Sequence, residues 1–286
     1  FRNSLVNQGF DNMTLSLENL DAIPDNVDIL VISDVRTPLS DKEQKIIEDY
    51  IAQGGNLLIA GEPRRQQQMN PLLAPLGLAF MPGILVQAHK DFNADLILAS
   101  FTRAAGELTS LFYREYRYGD KVTMPTATGI MQVEDKGFTI IPLLTTDSLG
   151  SWNELETTNF VEDTARINPQ IGEVEGANAT MVYLTRKINN KEQRIIVLGD
   201  ADCIGNGELT KQRNGVAASN FTVVTESFRL LSNGEFPVNT SREFSSDNGV
   251  YLGQKAGIYI KVLFMGIIPG ILILLYLGLW WKRRRK

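Results

Sequence analysis

Residues 28–63 read DILVISDVRTPLSDKEQKIIEDYIAQGGNLLIAGEP, and this stretch decides the fold class. The apolar run at its start predicts a strand over 28–34 that is buried on both faces, and NLLIAGEP predicts a second buried strand over 56–63. Between them, Ser40 and Glu43 have the spacing of a helix capping box, and two glycines end the helix. Strand, helix and strand in this order predict a parallel sheet with a right-handed crossover.

Further apolar runs indicate more β-structure along the body of the chain. FTIIPLLTT (138–146) and ATMVYLTRKI (179–188) are strand-like. The turn KINNKE (187–192) predicts a hairpin that leads into a third buried strand, RIIVLGDAD (194–202). A helix is expected over 217–232, where apolar residues recur at helical spacing. The pattern as a whole predicts an α/β domain built on a parallel sheet with β-rich insertions.

The C-terminal stretch VLFMGIIPGILILLYLGLWW, residues 262–281, contains no charged side chain. At about 1.5 Å per residue, a helix of this length spans the roughly 30 Å hydrocarbon core of a bilayer. Gly266, Pro269 and Gly270 interrupt the apolar run, and we expect them to bend the helix or to let a neighbouring helix approach closely. Five consecutive cations follow and predict a cytoplasmic C-terminus: Lys282, Arg283, Arg284, Arg285 and Lys286.

These features divide the chain into four parts. We expect an extracytoplasmic α/β domain over 1–235, a polar linker over 236–256, a transmembrane helix over 257–281 and a basic cytoplasmic tail over 282–286. The sequence begins with Phe1 instead of Met, which we interpret as a missing upstream part.

Composition limits the possible functions. The 286 residues are 43% hydrophobic and 21% charged, values that exclude a disordered or a polytopic membrane protein. One cysteine and one histidine exclude a Cys-based or multi-His metal centre. The net charge is −5, but residues 261–286 hold six of the 28 basic groups and none of the 33 acidic ones, which leaves −11 on the rest. This acidic body argues against a nucleic-acid partner, because neutralising phosphates requires positive charge.

Acidic residues follow each of the clear strands. The carboxyl ends of parallel strands meet at one edge of a sheet, where α/β proteins bind their ligands. If the strands are neighbours, these carboxylates could converge on a cation or a polar ligand. The alternative is that they cap turns and following helices. The candidates for a binding face are Asp34, Arg36, Glu62, Asp200 and Asp202.

An enzymatic interpretation would use Cys203 as a nucleophile and His89 as its base. Two acidic residues, Asp200 and Asp202, stand just before the cysteine and would raise the pKa of its thiol. His89 belongs to no recognisable motif, and the chain lacks a P-loop. We therefore predict no catalytic residue, no metal and no cofactor.

Several motifs together resemble those of GldG-like auxiliary proteins of ABC transporters. The shared features are the helix start PLSDKE (38–43), the passage YIAQGGNLL (50–58) and the late strand VLGDAD (197–202) with its Asn-Gly loop. A C-terminal membrane helix with a basic end also fits. The motifs are structural, so the resemblance points to a family and not to a reaction.

The resemblance implies an amidotransferase-like (flavodoxin-like) fold without its catalytic apparatus. It implies a non-catalytic auxiliary component of a gliding-motility-related or similar export system. The partners would be membrane lipid, an ABC permease, either separate or fused upstream, and its ATPase. The chain would cross a bacterial inner membrane once, with its main domain in the periplasm binding substrate or partner subunits. The alternative function is a membrane-tethered hydrolase acting on an envelope substrate.

Overall fold

A computed structural model describes residues 2–157, 159–237 and 254–284. The chain divides into two units, Phe1–Asn239 and Thr240–Lys286. Most of the predicted linker, together with Arg285 and Lys286, lies outside the described residues.

The strands of the first unit are mostly short. The described strands are β1 (Ile29–Ser33), β2 (Asn56–Ala60), β3 (Leu78–Phe80), β4 (Ile84–Gln87), β5 (Ile97–Phe101), β6 (Lys121–Met124), β7 (Ile130–Gln132), β8 (Thr139–Thr145), β9 (Ser151–Glu154), β10 (Ala179–Ile188) and β11 (Lys191–Leu198). The helices of this unit are α1 (Arg2–Asn7), α2 (Asp41–Ala52), α3 (Gln66–Leu73), α4 (Arg103–Leu108), α5 (Ser110–Tyr118), α6 (Asn206–Leu209) and α7 (Asn220–Leu231).

Seven strands form one mixed sheet in the order β1-β2-β11-β10-β8-β5-β6. The predicted parallel arrangement is found only for β1, β2 and β11, and every other pairing in this sheet is antiparallel. The expected β-rich insertions are not separate, because β8 and β10 continue the same sheet. Two small antiparallel pairs, β3 with β7 and β4 with β9, lie beside it.

The tight hairpin after β10 explains the change from parallel to antiparallel pairing. Ile188 pairs with Lys191 across a two-residue turn, in which Asn189 and Asn190 both have positive φ angles, 48° and 65°. Such a turn joins only antiparallel neighbours. The hairpin predicted from KINNKE is confirmed, and it makes β10 antiparallel to β11.

The predicted strand–helix–strand unit is confirmed, with one correction. The Ser40 hydroxyl accepts a hydrogen bond from the Glu43 N–H at 3.3 Å, and the Glu43 carboxylate accepts one from the Ser40 N–H at 2.9 Å, so the capping box begins α2. β2 is buried along most of its length. β1 is not buried on both faces, because it forms an edge of the sheet and the side chain of Val31 is 39% exposed.

Helices cover both faces of the sheet, because successive strand residues alternate between two cores. Leu58 and Ile196 belong to one core, together with Phe112 of α5 and residues of α1, α4 and α7. Leu57 and Ile195 face the other core, which α2 and α3 complete. The architecture is three-layered, with the acidic residues at the carboxyl ends of β1, β2 and β11.

The second unit contains α8 (Gln254–Val262), a π-helical segment (Leu263–Ile267) and α9 (Ile268–Arg284). Residues 258–284 form one continuous helix, and its most apolar stretch of 18 residues has a mean hydropathy of 2.5, so the helix is long and apolar enough to be a candidate membrane span. Pro269 explains the π-helical segment, since its ring and missing N–H disturb the turn that precedes it. Gly266 lies within that segment and Gly270 just after it, and no described atom lies within 4 Å of where a Cβ on either would be.

Candidate functional site

The sheet order brings the predicted acidic residues together at one edge. β1, β2 and β11 are parallel neighbours, so their carboxyl ends lie side by side. Asp34 directly follows β1, Glu62 follows β2, and Asp200 and Asp202 follow β11. Burial raises the pKa of the Glu62 carboxyl, and the charges of Asp202 and Asp34 raise it further, so these three carboxylates are close enough to influence one another.

Two of these carboxylates hold the loop after β11. The Glu62 Oε1 atom accepts hydrogen bonds from the N–H groups of Ala201, at 3.0 Å, and Asp202, at 3.2 Å. Asp200 Oδ1 accepts from the N–H groups of Asp202, at 2.7 Å, and Cys203, at 3.1 Å. The Asp202 N–H is shared between the two, so the acidic residues do cap a turn here, as the alternative interpretation of the sequence proposed.

Asp200 is the most deeply buried member of this group. Its side chain is fully buried, and its Oδ2 atom has no hydrogen-bond partner among the described residues. Burial raises the pKa of this carboxyl well above its usual range, and the nearby charges of Glu62 and Asp202 raise it further. Asp200 is therefore a neutral acid well above the pH at which an exposed aspartate ionises.

The exposed part of the site is an ion-pair group around Asp34. The Arg36 Nε atom lies 2.7 Å from one carboxylate oxygen of Asp34, and the Arg65 Nε atom lies 3.6 Å from the other. Asp34 has a φ of 44°, a left-handed conformation that aspartate adopts more readily than most residues. This turn directs the chain after β1 across the ends of the neighbouring strands.

Two residues of the site were not among the sequence candidates. Arg65 precedes α3 and appears in the sequence only as part of a polar loop. Thr126 follows β6, and its hydroxyl donates a 3.4 Å hydrogen bond to Glu62 Oε2. No signal in the sequence connects Thr126 to a carboxylate 64 positions away, because only the tertiary fold brings the two together.

The geometry does not support a thiol enzyme. Cys203 is fully buried, and its Sγ donates to the carbonyl oxygen of Asp200 at 3.1 Å. Burial, reinforced by the charges around it, raises the pKa of the thiol well above its usual range. His89 places its Nε2 atom 2.7 Å from the carbonyl oxygen of Leu96, so each candidate catalytic side chain is bound to a main-chain carbonyl.

The arrangement can present charge to a partner, but it is poorly suited to holding a metal. Within residues 2–157, 159–237 and 254–284, no group of three or more His, Cys, Asp or Glu side chains has metal-binding geometry. One carboxylate oxygen of Glu62 and one of Asp200 already accept hydrogen bonds from main-chain N–H groups. Asp34, Arg36 and Arg65 remain available to a polar or charged ligand from solvent.

We expect Asp200→Asn to raise the melting temperature by an increment that grows with pH. Burial raises the folded-state pKa of Asp200, so the wild-type carboxyl is mostly neutral in both states below about pH 3. It favours the unfolded state progressively as the pH rises through the unfolded-state value of about 3.9. Asparagine keeps the acceptor for the two loop N–H groups and cannot ionise.

The measurement is thermal unfolding of both proteins in mild detergent across a pH series. The difference between them should widen from pH 4 upward until the pH passes the folded-state pKa. Glu62→Gln should act in the same direction but more weakly, because Glu62 is only partly buried. A difference that stays constant with pH would contradict the burial of an ionisable Asp200.

Comparison with known proteins relates part of the chain to a transport family, and it relates the fold to that of a solved domain. Residues 1–99 match the model of the ABC transporter auxiliary family, which is described as an ABC-type uncharacterized transport system. No curated protein matches the sequence. The chain is similar in structure to the mmIFT52 N-terminal domain, with a TM-score of 0.54 and 14% identity, covering 82% of this chain and 89% of that one. At that identity the likeness concerns the fold alone.

Proposed function

We propose that this protein is a non-catalytic, membrane-anchored auxiliary component of an ABC-type transporter in a gliding-motility-related or similar export system. The observation that carries the proposal is the family match over residues 1–99. A candidate membrane span ending in basic residues supports it. ATP would be hydrolysed by a separate ATPase subunit, because the sequence contains no P-loop.

The orientation follows from the charges that flank the helix. Lys282, Arg283 and Arg284 close α9, and Arg285 and Lys286 continue the run in the sequence. Positive residues beside a span are retained in the cytoplasm. In a bacterial inner membrane, this orientation sends the first unit to the periplasm. The guanidinium of Arg284 lies 4.2 Å from the ring centre of Trp280, an arrangement suited to the membrane interface.

The periplasmic unit would bind substrate or a partner subunit at the strand-end site. Asp34, Arg36 and Arg65 present one negative and two positive groups at the surface, while Glu62 and Asp202 add further carboxylates beside them. Buried Asp200 contributes by holding the loop in place. The proposal includes descent from an amidotransferase-like fold whose catalytic groups are lost, and the inaccessible thiol of Cys203 is consistent with this.

The membrane helix would pack against permease helices through its small residues. Gly266 and Gly270 are four residues apart and therefore lie on one face of the helix. No side chain of the described residues fills the space beside them. Pro269 and the π-helical segment shape this face, so we assign it to a neighbouring helix of the transporter.

Affinity purification of the tagged chain from membranes in mild detergent tests the proposal. We expect a permease and an ATPase to co-purify in a defined ratio. The double variant Gly266→Leu/Gly270→Leu should lose most of the co-purifying permease, because two bulky side chains would separate the helices. Gly278→Leu is the matched control, since Gly278 is equally open but lies two turns further along the helix.

A chain that purifies without transporter subunits above background would overturn the proposed function. The alternative would then be the membrane-tethered hydrolase acting on envelope substrates. Loss of the permease from both glycine variants alike would refute the assignment of Gly266 and Gly270 as the packing face, while leaving the transporter association intact.

A further inference from the structure

The two edge strands of the seven-stranded sheet, β6 and β1, differ in whether their outward main-chain groups have hydrogen-bond partners. At the β6 edge, the Lys121 N–H donates to the carbonyl of Ala217 at 3.0 Å, and the Lys121 carbonyl accepts from the N–H of Ser219 at 2.8 Å. The side-chain amide of Asn220 bonds both the N–H and the carbonyl of Thr123, at 3.0 and 2.7 Å. At this edge, the outward N–H and carbonyl groups of Lys121 and Thr123 all have hydrogen-bond partners.

The β1 edge has no such cover. The N–H of Asp34 donates to the carbonyl of Ala60 in β2 at 3.0 Å, so even-numbered residues of β1 bond to β2. The main-chain groups of Ile29, Val31 and Ser33 therefore point away from the sheet. None of these three N–H and three carbonyl groups has a hydrogen-bond partner within the part of the chain that the structure describes.

The composition of β1 leaves its edge unprotected. Proteins usually protect an exposed edge with a charged side chain, a proline or a bulge. The strand sequence ILVIS contains neither a charge nor a proline, and its five residues pair with β2 in unbroken register. Val31, at the centre, is 39% exposed. An edge of this kind is a template for one more strand.

We infer that β1 pairs with β1 of a second copy of this chain, antiparallel and centred on Val31. The three outward residues are symmetric about Val31, so a two-fold axis there sets Val31 opposite Val31 and Ile29 opposite Ser33. Every outward N–H then faces an outward carbonyl. A contact of this kind closes on itself and yields a dimer, not a chain of subunits.

In this register Asp28 of one copy lies opposite Asp34 of the other at each end of the strand pair, and like charges at opposed positions repel. Asp34 is already paired with Arg36 and Arg65 of its own copy, which reduces this repulsion. The hydrogen bonds between the outward main-chain groups of the two β1 strands, and not the charges at their ends, hold the pair together. This pairing does not depend on an association with a transporter.

Cysteine cross-linking of the full chain in detergent tests the inference. Directly opposed residues of a hydrogen-bonded antiparallel pair have Cα atoms about 5.5 Å apart, within the range that a disulfide spans. Val31→Cys should therefore give a covalent dimer under mild oxidation. Ser33→Cys is the matched control, because its two copies would be offset by about 13 Å along the strands. The native Cys203 is fully buried and should not compete.

Sedimentation of the uncross-linked protein at micromolar concentration provides the second measurement. The wild type and Val31→Thr should be dimers, whereas Val31→Lys should be a folded monomer by circular dichroism, since it sets two ammonium groups face to face. A monomeric wild type that does not cross-link through Val31→Cys would overturn the inference. So would equal cross-linking of Val31→Cys and Ser33→Cys, which would indicate parallel or non-specific contact. If the edge instead pairs with a strand of a different polypeptide, the wild type would be monomeric and Val31→Cys would not cross-link.

Discussion

Glu208→Ala should lower the free energy of unfolding by about 3–5 kcal/mol, the usual effect of removing one partner of a buried ion pair. Glu208 lies in α6, and its side chain is 4% exposed, while that of its partner Arg213 is 9% exposed. The Arg213 guanidinium donates to both carboxylate oxygens, and the Thr123 hydroxyl donates to one of them. Without the carboxylate, the buried guanidinium of Arg213 loses its counter-charge and both of these acceptors.

Urea unfolding in mild detergent measures the loss, and an exposed pair supplies the control. Arg103 and Glu107 on α4 are 82% and 68% exposed, so Glu107→Ala should change stability by no more than about 0.5 kcal/mol. The double variant Glu208→Met/Arg213→Met should recover most of the stability, because it removes both charges together. If Glu208→Ala and Glu107→Ala had equal effects, Glu208 and Arg213 would not be a buried pair.

Gly199→Ala should lower the free energy of unfolding by a similar amount, about 3 kcal/mol or more, which is at the upper end of the effects of overpacking. Gly199 follows β11 and is bonded on both sides, since its N–H donates to the Thr180 carbonyl at 2.8 Å and its carbonyl accepts from the Thr128 N–H at 2.9 Å. A Cβ on Gly199 would lie 2.0 Å from the carbonyl oxygen of Thr128. The strand cannot move aside without breaking these bonds.

The loop that begins at Asp200 should be displaced along with the strand. We therefore expect Gly199→Ala to lower the midpoint of urea unfolding and to weaken binding at the strand-end site together. Gly207→Ala is the control, because no atom lies within 4 Å of a Cβ at that position, and alanine there should be neutral or stabilising by up to about 1 kcal/mol. Equal stability of the two variants would show that the sheet tolerates a side chain at Gly199.

Local patterns in the sequence were sufficient for three elements. The capping box at Ser40, the two-asparagine turn after β10 and the apolar run that forms α9 each depend on residues close together in the chain. Their physics is that of main-chain conformation, helix-end hydrogen bonds and transfer of apolar residues out of water. A reader of the sequence alone can therefore place them.

The sequence also indicated which charged residues meet, but not what they do there. It placed Asp34, Glu62 and Asp200 after buried strands, and parallel neighbours bring such positions to one edge. It did not show that Asp200 is fully buried, nor that Thr126 and Arg65 join the group. Burial and long-range contacts depend on every layer packed around a site.

The order of the strands was decided by tertiary structure alone. Strands with similar apolar patterns pair in either direction, and the sequence did not distinguish β2, buried between two neighbours, from β1 at an edge. The outcome depends on which surface each helix covers and on the direction that the hairpin after β10 imposes. The sequence thus determined the local elements and the candidate span, whereas tertiary packing decided the mixed sheet, the buried acid and the open edge, because these arise from contacts between residues far apart in the chain.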